Sequence, residues 1–417
     1  MSAHAPVSIL HAPWLAQAGT RAIIAALDVG PVRPGLRFVG GCVRNTLLRL
    51  EVEDIDIATV HMPERVMELG AAAGLKSVAT GIEHGTVTVI AHGRPFEVTT
   101  LRKDVATDGR HAIVQFTDDW ASDAARRDFT MNAIYADADG ALFDPVGGLA
   151  DLARRKVRFI GDAVSRIRED YLRILRFFRF HAWYGEGALD AAGLAACAAE
   201  REGLKRLSGE RVQKELLRLL EARAAGDALN AMAQSGILAV VLPEADNFQE
   251  FADLVRVEAD HLHIADAVRR LAILVETDGE GALALADRLR LSGAARYRLA
   301  RLRAASQDIL SPAISGAQLR RLLYREGVPG VEDRIAVSWA LRGPERDVDV
   351  WEALAEMVQS YARPKLALSG HDLQAIGLSG ARLGAVLREV EEWWIAQDFV
   401  PARDAVLAKA NEIAGVK

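Results

Sequence analysis

An α+β fold is predicted, with a small mixed sheet and helices forming an N-terminal head and a mostly α-helical remainder. Three observations carry this. Runs rich in β-branched residues and bounded by glycine cluster before about residue 150. From about Asp144 onward nearly everything reads at helical period. Alanine, leucine and arginine are abundant, which favours helix over the whole chain.

The strand-like runs come in order as "LRFVGG", "EDIDIAT", "GTVTVIAHG" and "RPFEVTTLR". Between them "PERVMELGAAAG" reads as a helix, with proline in its first turn and glycine at its end. From "DLARRKVRFIGD" on, helices are punctuated by turns at "LSGE", "AQSG", "RLSG", "REGVPG" and "ALSGHD", so a boundary is expected near residue 150. "GALALADRLRLSGAARYRLARLRAA" reads as a helix pair. No regular repeat or low-complexity tract interrupts this pattern.

Composition narrows the function classes. Of the 417 residues 50% are apolar and 26% charged, as in ordinary globular proteins. A net charge of -6 argues against a uniformly basic, nucleic-acid-coating chain, although a local basic patch still suits a polyanion. Two cysteines, Cys42 and Cys197, are too few for a disulfide framework and too far apart for a zinc site. "MSAHAPVSILHAPWLAQAG" has no secretory pattern and no window approaches the roughly 20 apolar residues of a membrane span, so a soluble, cytoplasmic protein is expected.

Asp54 and Asp56, one residue apart between isoleucines, raise the first question of chemistry. In a strand they would share a face while Ile55 and Ile57 pack on the other. Carboxylates that close raise one another's pKa unless a cation lies between them, and hard oxygen ligands suit Mg²⁺ with substrate phosphates. The same pattern also suits a solvated strand face. Upstream, "RFVGGCVRNTLLRL" reads as strand, glycine turn and helix: Gly40 and Gly41 let the backbone approach a ligand, and Arg44 lies in the first helical turn. Downstream, Glu97 faces opposite to Phe96 and Val98, as either an edge-strand glutamate or a third carboxylate of a two-metal site.

In "ASDAARRDFTMNAIYAD", Arg126 and Arg127 offer charge to a triphosphate, and Asp128 and Asn132 share a face if helical, able to bind a ribose. In "REDYLRILRFFRF", Asp170, Arg173, Arg176 and Arg179 fall near one helical stripe and the apolar residues on another. A salt-bridged surface face is the plain alternative, but Asp170 and Arg173 also make an acceptor and donor pair one turn apart.

These motifs, with "FDPVGGLADLARRKVRFIGD" and "LSGERVQKELLRLL", stand in the order and spacing of the bacterial class II tRNA nucleotidyltransferase and poly(A) polymerase family, which the chain resembles densely over its first ~225 residues. The resemblance implies a polymerase-β-type nucleotidyltransferase head at 1–150, a base-recognising helical neck at 151–225 and a tRNA-binding body and tail at 226–417. Asp54 and Asp56 match the metal-binding aspartates and Glu97 a supporting carboxylate. Gly40, Gly41 and Arg44 match the phosphate-binding turn, and Arg127, Asp128 and Asn132 the ribose motif. Asp170 and Arg173 match the protein template for the incoming base, with Arg176 nearby for phosphates. Where the family motif ends in aspartate this chain has Asn45, able to position Arg44 as an acceptor but without the charge.

The implied reaction is Mg²⁺-dependent, template-independent addition of C, C and A to tRNA 3′ ends from CTP and ATP. A carboxylate accepts from the exocyclic amine of cytosine or adenine while a guanidinium donates to the ring nitrogen; guanine and uracil present a carbonyl instead. Alternatives are a poly(A) polymerase, a CC-adding or A-adding specialist, and a catalytically inactive RNA-binding protein. The untruncated connector "RKDVATDGRHAIVQFTDDWASDAA" favours full CCA addition. The basic runs from Arg154 to Arg179, through "RLRLSGAARYRLARLRAAS" and in "LRRLLYREG", are candidates to track tRNA phosphates, or are solvated helix faces. His261 and His263 lack the partner motif of a metal phosphohydrolase and read as ordinary helix residues.

Overall fold

The computed structural model describes residues 8–107, 112–305 and 309–415. The chain forms two compact units, Met1–Pro243 and Glu244–Lys417. The first opens with α1 (Ala18–Leu27), β1 (Leu36–Val39), α2 (Gly41–Leu48), β2 (Asp56–Thr59), α3 (Pro63–Ala72), β3 (Lys76–Gly81), β4 (Thr86–Ala91) and β5 (Arg94–Thr100). A hairpin of β6 (Arg102–Thr107) and β7 (Ala112–Phe116) follows, then α4 (Trp120–Ala125), β8 (Tyr135–Ala136) and β9 (Leu142–Phe143). Helices α5 (Gly148–Ala153), α6 (Ala163–Glu169), α7 (Leu172–Tyr184), α8 (Ala191–Ala199), α9 (Gly209–Leu220), α10 (Ala225–Gln234) and α11 (Leu238–Val241) complete the unit.

The main sheet has the order β3-β4-β5-β2-β1-β8-β9, with β2 parallel to β5 and the other neighbours antiparallel. The four runs read as strands from sequence are β1, β2, β4 and β5. β3 carries little apolar signal because it is an edge strand with mostly exposed side chains, and β8 and β9 are only two residues each. The connector anticipated as a loop contains the β6–β7 hairpin; residues 108–111 of it lie outside the described residues.

β1 is buried along its whole length, and Phe38 packs edge-on against Trp14 at 4.8 Å. Helix α7 buries Ile174, Leu175, Phe177 and Phe178. Phe129 bridges antiparallel to Phe159, which stacks on Phe177 at 5.4 Å, while Phe129 also meets Phe180 at 5.2 Å. Each fully buried phenylalanine contributes about 1.5–3 kcal/mol, so this aromatic cluster fixes the segment around Asp128 against α7.

Three local expectations are corrected. Strand β2 begins at Asp56, so Asp54 precedes the strand and is exposed, although Ile55 and Ile57 are buried as anticipated. Asp128 and Asn132 are not on an α-helix: Thr130–Asn132 is a single 3-10 turn after an extended Phe129. Asp170 is in extended conformation between α6 and α7, so it stands at the head of the α7 stripe instead of within it.

The second unit is helical: α12 (Phe248–Val257), α13 (Ala267–Leu274), α14 (Gly279–Arg288), α15 (Gly293–Ala305), α16 (Gly316–Arg342), α17 (Val348–Gln359), α18 (Gly370–Ala375), α19 (Gly380–Ala396) and α20 (Arg403–Ala414). The expected turn at "REGVPG" is a kink in α16, where Gly327 has φ 75° two residues before Pro329. Buried Glu258 pairs with Arg269 and Arg270, and buried Asp333 with Arg269, Arg298 and Arg301. Each of these interior charges is paired, and removing one partner would leave the other buried and uncompensated. His261 lies in a short π-helical turn, paired with Glu352 and stacked on Trp339, as a structural residue. Among the described residues no helix is long and apolar enough to cross a membrane.

Candidate active site

Sheet register builds the centre of the site. Val39 pairs with Asp56 across β1 and β2, and Asp56 pairs with Glu97 across the parallel β2 and β5. Glu97 is exposed between buried Phe96 and Val98, on a strand flanked on both sides, so it is not an edge residue. Among the described residues, no hydrogen bond or ion pair engages the side chains of Asp54, Asp56 or Glu97. Burial, then the charges of Glu97 and Asp54, push the Asp56 carboxyl above its ordinary range, and Arg127 and Arg44 only partly offset them.

Partnerless carboxylates set side by side fit a hard divalent cation. Among the described residues no group of three or more His, Cys, Asp or Glu side chains closes into a metal cage. Gly40 is required where β1 turns into α2: its φ is 75°, and a Cβ there would sit 3.3 Å from Asp56 Oδ2.

Arg44 is 7% exposed and its guanidinium is held entirely by neutral acceptors. Nε and Nη2 donate to Asn45 Oδ1 at 3.1 and 2.8 Å, Nη1 to Asn132 Oδ1 at 2.7 Å, and Nη2 to the Tyr184 hydroxyl at 2.8 Å. Its cation lies 4.0 Å over the Tyr184 ring. Burial lowers the Arg44 pKa, yet a guanidinium stays protonated. The result is fixed positive charge without a carboxylate among its direct partners, beside the glycine turn: a seat for an anion. Asn45, the departure from the family pattern, is the acceptor that orients Arg44, and its own Nδ2 donates to the Glu51 carbonyl at 2.8 Å.

The segment after α4 supplies the next groups. Asp123, 1% exposed, pairs with Arg126 at 2.6 Å and Arg127 at 3.0 Å, and accepts from the Tyr135 hydroxyl at 2.7 Å. Asp128 accepts from Arg176 Nε at 2.8 Å and from Asn132 Nδ2 at 3.1 Å. Burial alone would raise the Asp128 pKa, but the Arg176 charge, with the Asn132 and Phe129 donors, brings it down to about 2. Asp170 accepts from the Leu172 backbone N–H at 3.1 Å and from Arg211 at 2.7 Å. Arg173 donates through Nη1 to Glu169 at 2.5 Å and to the Arg166 carbonyl at 2.8 Å, while Nη2 makes only a 3.4 Å contact to the Arg126 carbonyl.

Ten of the twelve expected site residues line one cavity of about 370 Å³: Gly40, Gly41, Arg44, Asp56, Arg127, Asp128, Asn132, Asp170, Arg173 and Arg176. Glu97 faces an adjoining cavity of about 470 Å³, and Asp54 another of about 620 Å³; Asp56 borders all three. Asp123, Glu169, Tyr184 and Arg211, which hold these groups in place, were not singled out from sequence. The spacing of Asp123 to Arg126 and Arg127, three and four positions on, carried a signal; the partners of Tyr184 and Arg211 are too distant in sequence to leave one.

The basic runs behave differently from a simple phosphate track. Arg155, Arg158, Arg166, Arg168, Arg173, Arg176 and Arg179 all pair with carboxylates of the same unit. In the second unit Arg296, Arg298, Arg301, Arg320 and Arg325 do the same.

The chain is similar to known proteins of one family. The "Poly A polymerase head domain" family matches residues 36–158, and the family described as "Probable RNA and SrmB- binding site of polymerase A" matches residues 188–249. The mitochondrial CCA tRNA nucleotidyltransferase 1 of Mus musculus is 34% identical over 401 residues, covering 89% of this chain and 86% of the relative. The CCA-adding enzyme of Levilactobacillus brevis is 32% identical over 382 residues, covering 90% and 93%. Among solved structures, the Bacillus stearothermophilus CCA-adding enzyme in complex with CTP superposes with a TM-score of 0.75 at 28% identity, over 95% of this chain and 97% of that one. With its fold, its cavity of ordered motifs and relatives above 30% identity over most of its length, the chain belongs to the family of CCA-adding tRNA nucleotidyltransferases and poly(A) polymerases and is a nucleotidyltransferase.

Proposed function

We propose that the protein adds C, C and A to the 3′ ends of tRNA from CTP and ATP, releasing pyrophosphate, in the cytoplasm. The observation that carries the reading is that one cavity joins Asp56, the Gly40–Gly41 turn and Arg44 to the Asp170 and Arg173 pair. A nucleotide spanning it sets its phosphates at one end and its base at the other.

In this reading the head comprises residues 1–150, the base-recognising neck 151–225 and the tRNA-binding body and tail 226–417. Gly40, Gly41 and Arg44 take the phosphates, with Arg127 and Arg176 nearby. Asp128 and Asn132, which already touch each other, take the ribose hydroxyls. Asp170, steadied by Arg211 and the Leu172 N–H, accepts from the exocyclic amine. Arg173, steadied by Glu169, donates through Nη2 to the ring nitrogen. A base offering a carbonyl in place of the amine meets Asp170 acceptor to acceptor, which costs several kcal/mol by the usual scale of unpaired buried polar groups. Asp54 and Asp56, supported by Glu97, are the residues that would hold Mg²⁺. Bound there, the cation lowers the barrier to attack on the α-phosphate by neutralising charge on the phosphates.

The test incubates the protein and Mg²⁺ with a tRNA transcript ending at its discriminator base, with CTP, ATP or both, and sequences the 3′ ends. Two cytidines from CTP alone and a stop at CCA with both are expected. Long adenosine tails from ATP alone would assign the protein to poly(A) polymerases instead. Arg173→Ala is expected to relax base choice more than it weakens tRNA binding; unchanged fidelity would remove Arg173 from the template.

A further inference from the structure

Helix α7 carries Arg176, Arg179 and Phe180 within one turn, and α2 brings Arg44 to the same place. The guanidinium carbons of Arg176, Arg179 and Arg44 lie over the Phe180 ring at 5.2, 4.4 and 5.3 Å from its centroid. Phe180 is 5% exposed, yet it lines the cavity of about 370 Å³ together with Arg44 and Arg176. Phe129 at 5.2 Å and Tyr184 at 5.6 Å flank the ring and fix its plane.

Three cations gathered round one ring repel one another: burial lowers the Arg44 pKa, and the Arg179 charge lowers it further. Asp128 pairs with Arg176 at 2.5 Å, and Glu215 with Arg179 at 2.5 Å and with Arg176 at 3.5 Å. Among the described residues these two carboxylates are the ones paired with the three cations, and Arg44 has neither as a direct partner. A third carboxylate would hold Arg44 in place but cancel the positive charge. An aromatic ring attracts cations through its quadrupole and carries no net charge. The ring therefore gathers the guanidiniums and leaves their excess charge for an anion.

We propose that Phe180 is a positioning residue for the nucleotide's phosphates, its ring gathering Arg44, Arg176 and Arg179 into one cluster of positive charge at the cavity. An apolar side chain without a π-face would fill the space but let the cations separate. The inference rests on the proposed nucleotide binding and adds what holds its cations together.

The experiment uses the full chain with Phe180 replaced in turn by mono-, di- and trifluorophenylalanine, beside Phe180→Leu. Fluorine withdraws electron density from the ring face in steps while nearly conserving its volume, so the attraction for cations falls and the packing stays. Steady-state cytidine incorporation gives KM for CTP and for tRNA separately. Calorimetry without tRNA gives the Kd of CTP and of inorganic tripolyphosphate directly. The CTP KM and both Kd values are expected to rise with each added fluorine, to roughly tenfold in the trifluoro protein, while the tRNA KM stays within about twofold. Phe180→Leu is expected to weaken CTP at least as much as the trifluoro ring. Values that stay flat across the fluorine series would overturn the proposal, and a rise confined to Phe180→Leu would assign the ring to packing alone. An equal rise in the tRNA KM would also overturn it. A wild type that binds CTP but never extends tRNA would refute the proposed activity, while the Kd series still decides what the ring does.

Discussion

Replacing Asp123 with asparagine removes one buried negative charge from between two arginines. Asp123 is 1% exposed, and Arg126 and Arg127 are 15% and 20% exposed. Burial by itself would raise the carboxyl's pKa, but the Arg127 and Arg126 charges and the Tyr135 hydroxyl outweigh it and lower the pKa to about 2. A carboxylate depressed in the folded state contributes stability that is present above its unfolded pKa near 3.8 and lost as pH falls toward 2. At ~1.4 kcal/mol per pKa unit this amounts to about 2.5 kcal/mol at neutral pH, with about half remaining at pH 3. Mutational experience gives ~3–5 kcal/mol for breaking a buried pair from one side. The asparagine oxygen still accepts one bond, so the lower figure is expected. Urea unfolding of wild type and Asp123→Asn at pH 7, 5, 4 and 3 is the assay. The variant should be less stable by about 2.5 kcal/mol at pH 7 and by about half that at pH 3. It should also show a raised KM for CTP, because Arg127 is no longer held at the cavity. A deficit below ~0.5 kcal/mol at pH 7, or one undiminished at pH 3, would refute the reasoning.

Other outcomes follow from the same geometry. Asp56→Asn should abolish incorporation yet raise the melting temperature in chelator, because it relieves a carboxyl whose pKa burial and its acidic neighbours have raised; added Mg²⁺ should stabilise the wild type and not the variant, and equal responses would take Asp56 out of the metal site. Asn45→Ala takes two of the acceptor contacts from Arg44 and should raise the nucleotide KM by about tenfold, at ~1.5 kcal/mol for a bond to a charged group, while Asn45→Asp should preserve it; steady-state kinetics with CTP would check both. Gly40→Ala forces an alanine to φ 75° and sets its Cβ against Asp56 Oδ2, so kcat should fall by at least tenfold with tRNA binding unchanged; single-turnover incorporation beside a tRNA-binding assay separates the two.

Local pattern by itself determined much of this protein. The runs that became β1, β2, β4 and β5, the helix after Pro63 and the helical texture beyond Asp144 were legible because strand and helix periods and turn residues act over neighbouring positions, while the turn expected at "REGVPG" is a kink within α16. The motifs themselves were legible for the same reason, so that ten of the twelve site residues read from sequence share one cavity. Tertiary structure alone decided what these residues touch. Glu97 is the lateral neighbour of Asp56 only because β5 lies parallel to β2 in that register. Arg44 is oriented by Tyr184, 140 positions away, and Asp170 by Arg211, 41 away. The arginine runs look alike in sequence, yet most of their charges are spent on internal carboxylates, whereas Arg44 is held by neutral acceptors. Sequence spacing sets which face of an element a side chain occupies. Sheet register and helix docking set which distant face it meets, and with it whether a charge is neutralised at home or left for a ligand.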